Sequence, residues 1–230
     1  MPFEILNPVD TLFSPLNTFK FLELNMADRL YILEENPFAH MIVERYSIWE
    51  NGLKNILCVN AEAVNSKIVI VDNQYISSLK EKAAKTFYPS SLEEWNSIFE
   101  VYGSMTIRSC YKRASEDAEY MVVEGFNDAI CPEKTLKYDV VVGVAPGVAV
   151  FYEAENFHRL LETMEKLGRD PASLRAKDVV KYLRKIRILN IPPITVEYIK
   201  DYDRLSCELN TIVNFAFEMA EKKDEQIKLV

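Results

Sequence analysis

Residues 137–155, KYDVVVGVAPGVAVFYEAE, constrain the fold of this 230-residue chain more than any other segment. Two valine-rich apolar runs meet at Pro146-Gly147, a dipeptide typical of tight turns. Because β-branched residues favour extended backbone, the pattern predicts an antiparallel hairpin with strands at 138–145 and 147–154. The fold must therefore contain a sheet, and a helical form of this segment would contradict the whole interpretation.

Apolar residues at three- and four-residue spacing predict helices around this sheet. Asn36-Pro37 begins one such stretch and Gly52 ends it, while Gly103 ends a later one. The predicted helices cover 37–51, 91–102, 156–167 and 195–224, and residues 105–112 are assigned to a strand. The order of helices, strands and again helices indicates an α+β fold with a mixed or antiparallel sheet and flanking helices.

An extended N-terminal arm is predicted over residues 1–24. This segment contains three prolines and eleven large apolar residues, and proline prevents a regular helix. Two arrangements would shield the apolar side chains from water: the arm lies over the core of its own domain, or it docks on a neighbouring subunit. The sequence leaves both open.

A long C-terminal helix is predicted after Pro192-Pro193, and it carries an a/d heptad pattern over about three repeats. The heptad residues are Tyr198, Tyr202, Leu205, Leu209, Ile212, Ala216 and Met219. Their face packs either in the core of the chain itself or against a partner. The sequence therefore divides into an arm (1–24), a core domain (25–190) and a C-terminal helical segment (191–230), with Trp95, Phe99, Leu160, Leu161, Leu205 and Ile212 expected to be buried.

Composition narrows the class of protein. The four cysteines contain no CxxC pair and only two histidines are present, so a Cys/His zinc site is not expected. The longest apolar, uncharged run has 13 residues and is interrupted by glycine and proline, which excludes a spanning helix. We expect a cytoplasmic protein with reduced thiols and no membrane contact.

The ends of the hairpin carry the only carboxylates that suggest chemistry. Asp139, Glu153 and Glu155 resemble the acidic core of the PD-(D/E)xK nuclease family, although Glu155 stands where that family usually has a lysine. The resemblance implies that Asp139 and Glu153 would hold Mg²⁺ or Mn²⁺, which would activate water against a phosphodiester. The structural alternative is that these are solvated strand ends, with no metal, no cofactor and no catalytic residue.

The length of the hairpin loop decides which carboxylates share a face, because side chains alternate along a strand. A two-residue Pro146-Gly147 loop pairs Ala145 with Val148 and would place Asp139 and Glu153 on opposite faces. A three-residue loop would pair Asp139 with Glu153. The turn residues alone favour neither register.

One basic segment stands out from an acidic chain. Residues 166–187 contain eight basic and two acidic residues, whereas the net charge of the whole chain is −8. Helical spacing over 175–187 places Lys177, Lys181, Arg184 and Lys185 on one predicted basic face. That face is the expected contact for nucleic acid or another acidic partner.

Two functions from different classes follow. The preferred one is a non-catalytic interaction or assembly protein, homo-oligomeric or bound to another protein, which uses the arm and the C-terminal helix. The alternative is a metal-dependent nuclease or nucleic-acid-binding protein that uses the hairpin carboxylates and the basic face.

Overall fold

A computed structural model describes residues 1–30, 33, 35–125 and 128–227, with side chains up to residue 221. The chain forms two compact units, residues 1–123 and residues 124–230. The boundary between the units lies inside the 25–190 segment that the sequence suggests as one domain.

Unit 1 (residues 1–123) is built on a four-stranded mixed sheet. Its strands are β1 (Val9–Phe13), β2 (Met41–Trp49), β3 (Leu53–Val59) and β4 (Lys85–Phe87), in the order β1-β2-β3-β4. Neighbouring strands are antiparallel except β3 and β4, which are parallel. The helices of this unit span Phe3–Leu6, Thr18–Glu23, Pro37–His40, Ala61–Ser66, Asn73–Lys82 and Leu92–Ser115, with a 3-10 turn at Ala27–Arg29.

The predicted 37–51 helix is wrong. Asn36 does cap a helix, since its side chain accepts a hydrogen bond from the Phe38 N–H, but that helix ends at His40 and β2 follows. Strand β2 is buried on both faces, so its apolar residues do not alternate and their spacing resembles that of a helix. Asn51 and Gly52 both have positive φ angles, 55° and 154°, and belong to the turn between β2 and β3.

The helix predicted over 91–102 continues to Ser115, so the strand predicted at 105–112 is also wrong. Gly103 does not end the helix: it is buried, and a Cβ atom there would lie 3.0 Å from the Phe99 ring. The close approach of that ring explains the glycine. Thr106, Cys110 and Ala114 are buried at four-residue intervals, which fits one helical face against the sheet.

Unit 2 (residues 124–230) contains the predicted hairpin, which is confirmed. Strands β5 (Val141–Ala145), β6 (Val148–Tyr152) and β7 (Lys185–Asn190) form an antiparallel sheet in the order β5-β6-β7. Its helices span Ala154–Lys166, Ala176–Val179, Val196–Lys200 and Tyr202–Ile227, with 3-10 turns at Pro171–Ser173 and Val180–Tyr182. Both units combine sheets with flanking helices, which confirms the α+β class.

Two helices cover the two faces of the β5-β6-β7 sheet. Tyr152 packs in a core cluster with Phe157 and Leu161 of the Ala154–Lys166 helix. The preceding residue, Phe151, points to the other face, where its ring meets that of Phe215 edge-on, with ring centroids 4.8 Å apart. The long C-terminal helix therefore contacts β6 through this ring pair.

Two predicted helices of unit 2 differ from the structure: one is absent and the other is interrupted. The 175–187 helix does not form: a single helical turn at Ala176–Val179 gives way to a 3-10 turn and then to β7. The 195–224 helix is interrupted at Asp201, whose backbone is extended. In the 175–187 segment, pairing with β6 takes the residues from Lys185 onward into the sheet, and so it overrides the helical spacing.

Candidate functional site

The N-terminal arm (residues 1–24) is anchored on unit 1 by three side chains. Ile5, Leu16 and Phe21 are buried, with 3%, 6% and 1% of their surface exposed. Phe21 and Leu16 belong to the core cluster that includes Ile42 of β2. The arm is not extended throughout, which corrects the expectation that its prolines prevent a helix: it forms short helices at Phe3–Leu6 and Thr18–Glu23, and between them β1 pairs with β2. The arm is thus laid over the core of its own unit, as one of the two predicted arrangements requires.

Most of the other large apolar residues of the arm face outward. Seven of the eleven large apolar side chains between Phe3 and Leu24 are exposed, and Phe19 is the most exposed of them at 78%. We call these seven residues the arm surface: Phe3, Leu6, Leu12, Phe13, Phe19, Leu22 and Leu24. Exposed apolar side chains are common singly, but their concentration in one short segment is typical of surfaces that bind other proteins.

The C-terminal helix (Tyr202–Ile227) has a half-buried stripe rather than a buried one. Leu205 and Ile212 are half-buried, which corrects the expectation of full burial, and Tyr202 at the start of the heptad pattern is 84% exposed. Outside the stripe, Val213 and Phe217 are exposed as well. Of the other residues expected in the core, Trp95 and Leu161 are buried, Leu160 is half-buried and Phe99 is 38% exposed.

The hairpin has the two-residue loop. Ala145 pairs with Val148 and Gly147 adopts a φ of 78°, so continuation of this register would put residues 139 and 154 opposite each other. Glu153 instead precedes the Ala154–Lys166 helix, and its Oε2 lies 3.7 Å from Nη1 of Arg184. Among the residues that the structure describes, no group of three or more potential metal-binding side chains occurs. The site of Asp139, Glu153 and Glu155 stays a prediction.

The four predicted binding cations are all exposed, but they lie on different elements. Lys177 is in the Ala176–Val179 helix, Lys181 in the following 3-10 turn, and Lys185 at the start of β7. The Nζ atom of Lys181 lies 4.9 Å from the centre of the Tyr182 ring. Arg184 forms the ion pair with Glu153. The cations therefore remain close in sequence without forming the single helical face that the sequence predicts.

A buried polar cluster in unit 1 was missed by the sequence analysis. The Glu44 side chain on β2 is the acceptor for three donors: Thr11 Oγ1 at 2.8 Å, Trp95 Nε1 at 2.5 Å and the Tyr46 hydroxyl. Glu44, Tyr46 and Trp95 are all buried, and Cys58 on β3 lies directly opposite Glu44. The cluster joins β1, β2, β3 and the Leu92–Ser115 helix around one carboxylate.

The surroundings keep the thiol and the phenol of this cluster protonated. Burial, reinforced by the negative charge of Glu44, raises the pKa of the Cys58 thiol to about 12. Burial, with the same charge and hydrogen bond, also raises the pKa of the Tyr46 hydroxyl far above its usual value. Because a thiolate is the nucleophilic form of cysteine, the protonated Cys58 thiol is a poor nucleophile at neutral pH. The hydrogen bonds to Glu44 link the sheet to the Leu92–Ser115 helix.

One sequence signal could have revealed the cluster. In β2 a glutamate and a tyrosine stand two residues apart, the spacing that places both on the same face of a strand. The assignment of 37–51 to a helix hid this relation, because residues two apart do not face each other on a helix.

The chain matches no protein-family model, no curated protein and no solved structure. Within the described part of the chain, no helix is both long and apolar enough to cross a membrane.

Proposed function

We propose that this chain is a non-catalytic interaction or assembly protein that acts in the cytoplasm through protein–protein contacts of its N-terminal arm and C-terminal helix. The observation that carries the proposal is the arm surface. Removing such side chains from water is favourable by about 25 cal/mol per Å² of apolar area, so a partner that covers them gains binding free energy.

The way the arm is held supports a binding role. Ile5, Leu16 and Phe21 fix the arm on unit 1, and the β1–β2 pairing orders its backbone. A pre-ordered segment loses little conformational entropy when a partner binds. Phe19 and Leu22 occupy the Thr18–Glu23 helix next to the buried Phe21, so their exposed positions are set by a buried anchor.

The C-terminal helix supplies the second proposed contact. Phe215 of this helix packs edge-on against Phe151 of β6, while Val213 and Phe217 remain exposed on the same helix. Aromatic residues are enriched at protein–protein interfaces.

A pair of arm substitutions tests this function without removing the buried anchors. Phe19→Ser with Leu22→Ser removes two of the most exposed side chains of the arm, and the matched control is Val101→Ser with Val122→Ser, two apolar residues of unit 1 that are 65% and 94% exposed. We expect a tagged arm variant to lose specifically captured protein from an extract of the cells that make the chain, and the control to retain it. Equal capture by the native chain and both variants would contradict the proposal.

The basic segment supports a second partner class, an acidic or phosphate-bearing molecule. Lys177, Lys181, Arg184 and Lys185 are exposed within nine residues of one another. Replacing Lys181, Arg184 and Lys185 by Ala should weaken binding to a labelled oligonucleotide and flatten its salt dependence. Unchanged affinity in the triple variant would remove this segment from consideration.

A further inference from the structure

The β5 strand is an edge of the unit 2 sheet that carries no charge. In the described residues it pairs only with β6, and its sequence, VVGVA, contains no charged or bulky polar side chain. Val144 is 73% exposed and Val142 is 37% exposed. Natural sheets usually protect such edges with charges, proline or bulges, so an apolar, regularly paired edge invites another strand.

The register shows which backbone groups β5 presents. In a hairpin with a two-residue loop the residues that flank the loop form a hydrogen-bonded pair, so Ala145, Gly143 and Val141 direct their N–H and C=O groups towards β6. Val142 and Val144 alternate with them and direct theirs outward. Each of these two residues therefore offers one donor and one acceptor to an added strand.

The opposite edge of the same sheet is protected. Strand β7 carries Lys185 and Arg187, and two copies of β7 placed side by side would bring these cations together. Its exposed apolar residues, Ile186 and Ile188, alternate with those charges. The two edges therefore differ in charge: like charges disfavour pairing of β7 with its own copy, whereas β5 has none.

We propose that β5 pairs antiparallel with β5 of a second copy of this chain, about a two-fold axis at Gly143. This register places Val142 opposite Val144 of the second copy and Val141 opposite Ala145, so every cross-strand pair is uncharged. The outward N–H and C=O groups of Val142 meet those of the second copy's Val144, and the symmetry repeats the pair on the other side of the axis. We assign the partner as a second copy of the chain because, in this register, each outward N–H and C=O group of β5 meets a complementary group of the second β5.

Gly143 suits the position on the axis. One of its faces is covered by the Tyr152 ring, since a Cβ atom on Gly143 would lie 3.1 Å from that ring. In the proposed register the two glycines form a non-hydrogen-bonded pair, the pair type in which opposite Cα atoms approach most closely, at about 4.5 Å. Two residues without side chains meet there without conflict.

The dimer joins two three-stranded sheets into one of six strands. A contact of one short strand per copy is small, so we expect a dissociation constant on the order of micromolar. The inference concerns a surface separate from the arm surface and does not depend on the arm binding anything. A substitution in β5 does not change the arm surface, and a substitution in the arm does not change β5. The two proposals can therefore fail independently.

The experiment is sedimentation equilibrium of the full chain with one substitution on each edge. Val144→Lys places a charge on the outward-facing edge of β5, and Ile188→Lys places the same charge at an exposed position of β7 as the matched control. We expect the native chain and the Ile188→Lys chain to dimerise, and Val144→Lys to weaken dimerisation about tenfold or more, because two symmetry-related pairs are lost. Thermal unfolding of both variants confirms that they are folded.

A charge pair tests the register itself. In Val142→Asp with Val144→Lys, the introduced carboxylate of one copy faces the introduced ammonium of the other, so this double variant should dimerise more tightly than Val144→Lys alone. Native chain that stays monomeric up to about 200 µM would overturn the proposal. It would also be overturned if the two lysine variants behaved alike, or if the double variant associated no better than the single one.

Discussion

The two sheets of this protein differ in where charged residues lie: a buried strand of one sheet carries a charge, whereas an exposed edge strand of the other carries none. In unit 1 the inner strand β2 is buried on both faces, yet it carries Glu44, whose carboxylate is satisfied by donors from two strands and a helix. In unit 2 the edge strand β5 is exposed, yet it carries no charge. A charge is stable in the interior where hydrogen bonds surround it, while a neutral strand at the surface is available for pairing.

The largest effect is expected at the buried carboxylate. Glu44→Ala leaves the Thr11, Tyr46 and Trp95 donors without their acceptor, which should lower the free energy of unfolding by about 2–4 kcal/mol. Urea unfolding monitored by tryptophan fluorescence measures this in unit 1, because both tryptophans, Trp49 and Trp95, lie there.

Glu50→Ala is the control for that substitution. Glu50 follows β2 directly but is exposed, and its ion pair with Lys54 at 3.0 Å is between two exposed side chains. Exposed pairs of this kind contribute little to stability. Equal losses of stability in the two variants would show that the Glu44 cluster does not hold the unit 1 sheet together.

In unit 2 the corresponding contribution to the free energy of unfolding comes from an aromatic side chain, Phe215. Phe215→Ala removes the edge-on contact with Phe151 and the stacking of Arg187, whose guanidinium carbon lies 4.7 Å from the ring centre. We expect a loss of about 1–3 kcal/mol, below the range for a fully buried phenylalanine because Phe215 is half-buried. Chemical unfolding followed by circular dichroism provides the measurement, with Val213→Ala, an exposed apolar residue on the same helix, as the control. Equal stability of both variants would contradict the packing of this helix on β6.

Alkaline pH should weaken both units through their buried cysteines. Burial raises the pKa of Cys58 to about 12 and that of Cys131 to about 11, from an ordinary value of 9. Because the folded state holds these protons more tightly than the unfolded state, their stabilisation is complete below pH 9 and is lost as the pH rises towards 11 and 12.

Thermal unfolding between pH 8 and 11 checks this prediction, and Cys58→Ala should reduce the pH dependence. At pH 8 a thiol reagent should modify Cys207, which is exposed, and leave the three buried cysteines intact until the chain unfolds. Rapid modification of all four thiols in the native chain would contradict the burial of Cys58, Cys110 and Cys131.

The smallest effect is expected at the hairpin carboxylates. We predict no cleavage of labelled DNA or RNA in the presence of Mg²⁺ or Mn²⁺, because Glu153 lies outside β6 at the start of the Ala154–Lys166 helix, where it pairs with Arg184. Cleavage by the native chain that both Asp139→Asn and Glu153→Gln abolish would establish the nuclease alternative instead.

The sequence predicts the α+β class, the hairpin and the cap at Asn36 because each depends on local backbone preferences. It fails at β2, where burial on both faces removes the alternation that identifies a strand. It fails again at Gly103, because the reason for that glycine is the ring of Phe99 and not the end of a helix. The Glu44 cluster joins residues 51 apart in the chain, so only the fold brings its members together.

For the arm, the sequence predicts that apolar residues pack on the protein, but it does not predict which of them stay exposed. Its prolines and apolar residues predict an ordered arm packed on something, and Ile5, Leu16 and Phe21 do pack on unit 1. Which of the eleven apolar residues would remain exposed depends on how the Phe3–Leu6 and Thr18–Glu23 helices lie on the sheet, and no local pattern encodes that.

The most direct test of the central claim, that the arm surface binds protein, is site-specific photo-crosslinking. A photoreactive phenylalanine analogue replaces Phe19 in one chain and Tyr75 in another, two exposed aromatic positions of unit 1, of which only the first lies in the arm. The account predicts a discrete crosslinked protein from position 19 and none from position 75 after irradiation in an extract of the cells that make the chain. No crosslink from position 19, or the same products from both positions, would contradict it.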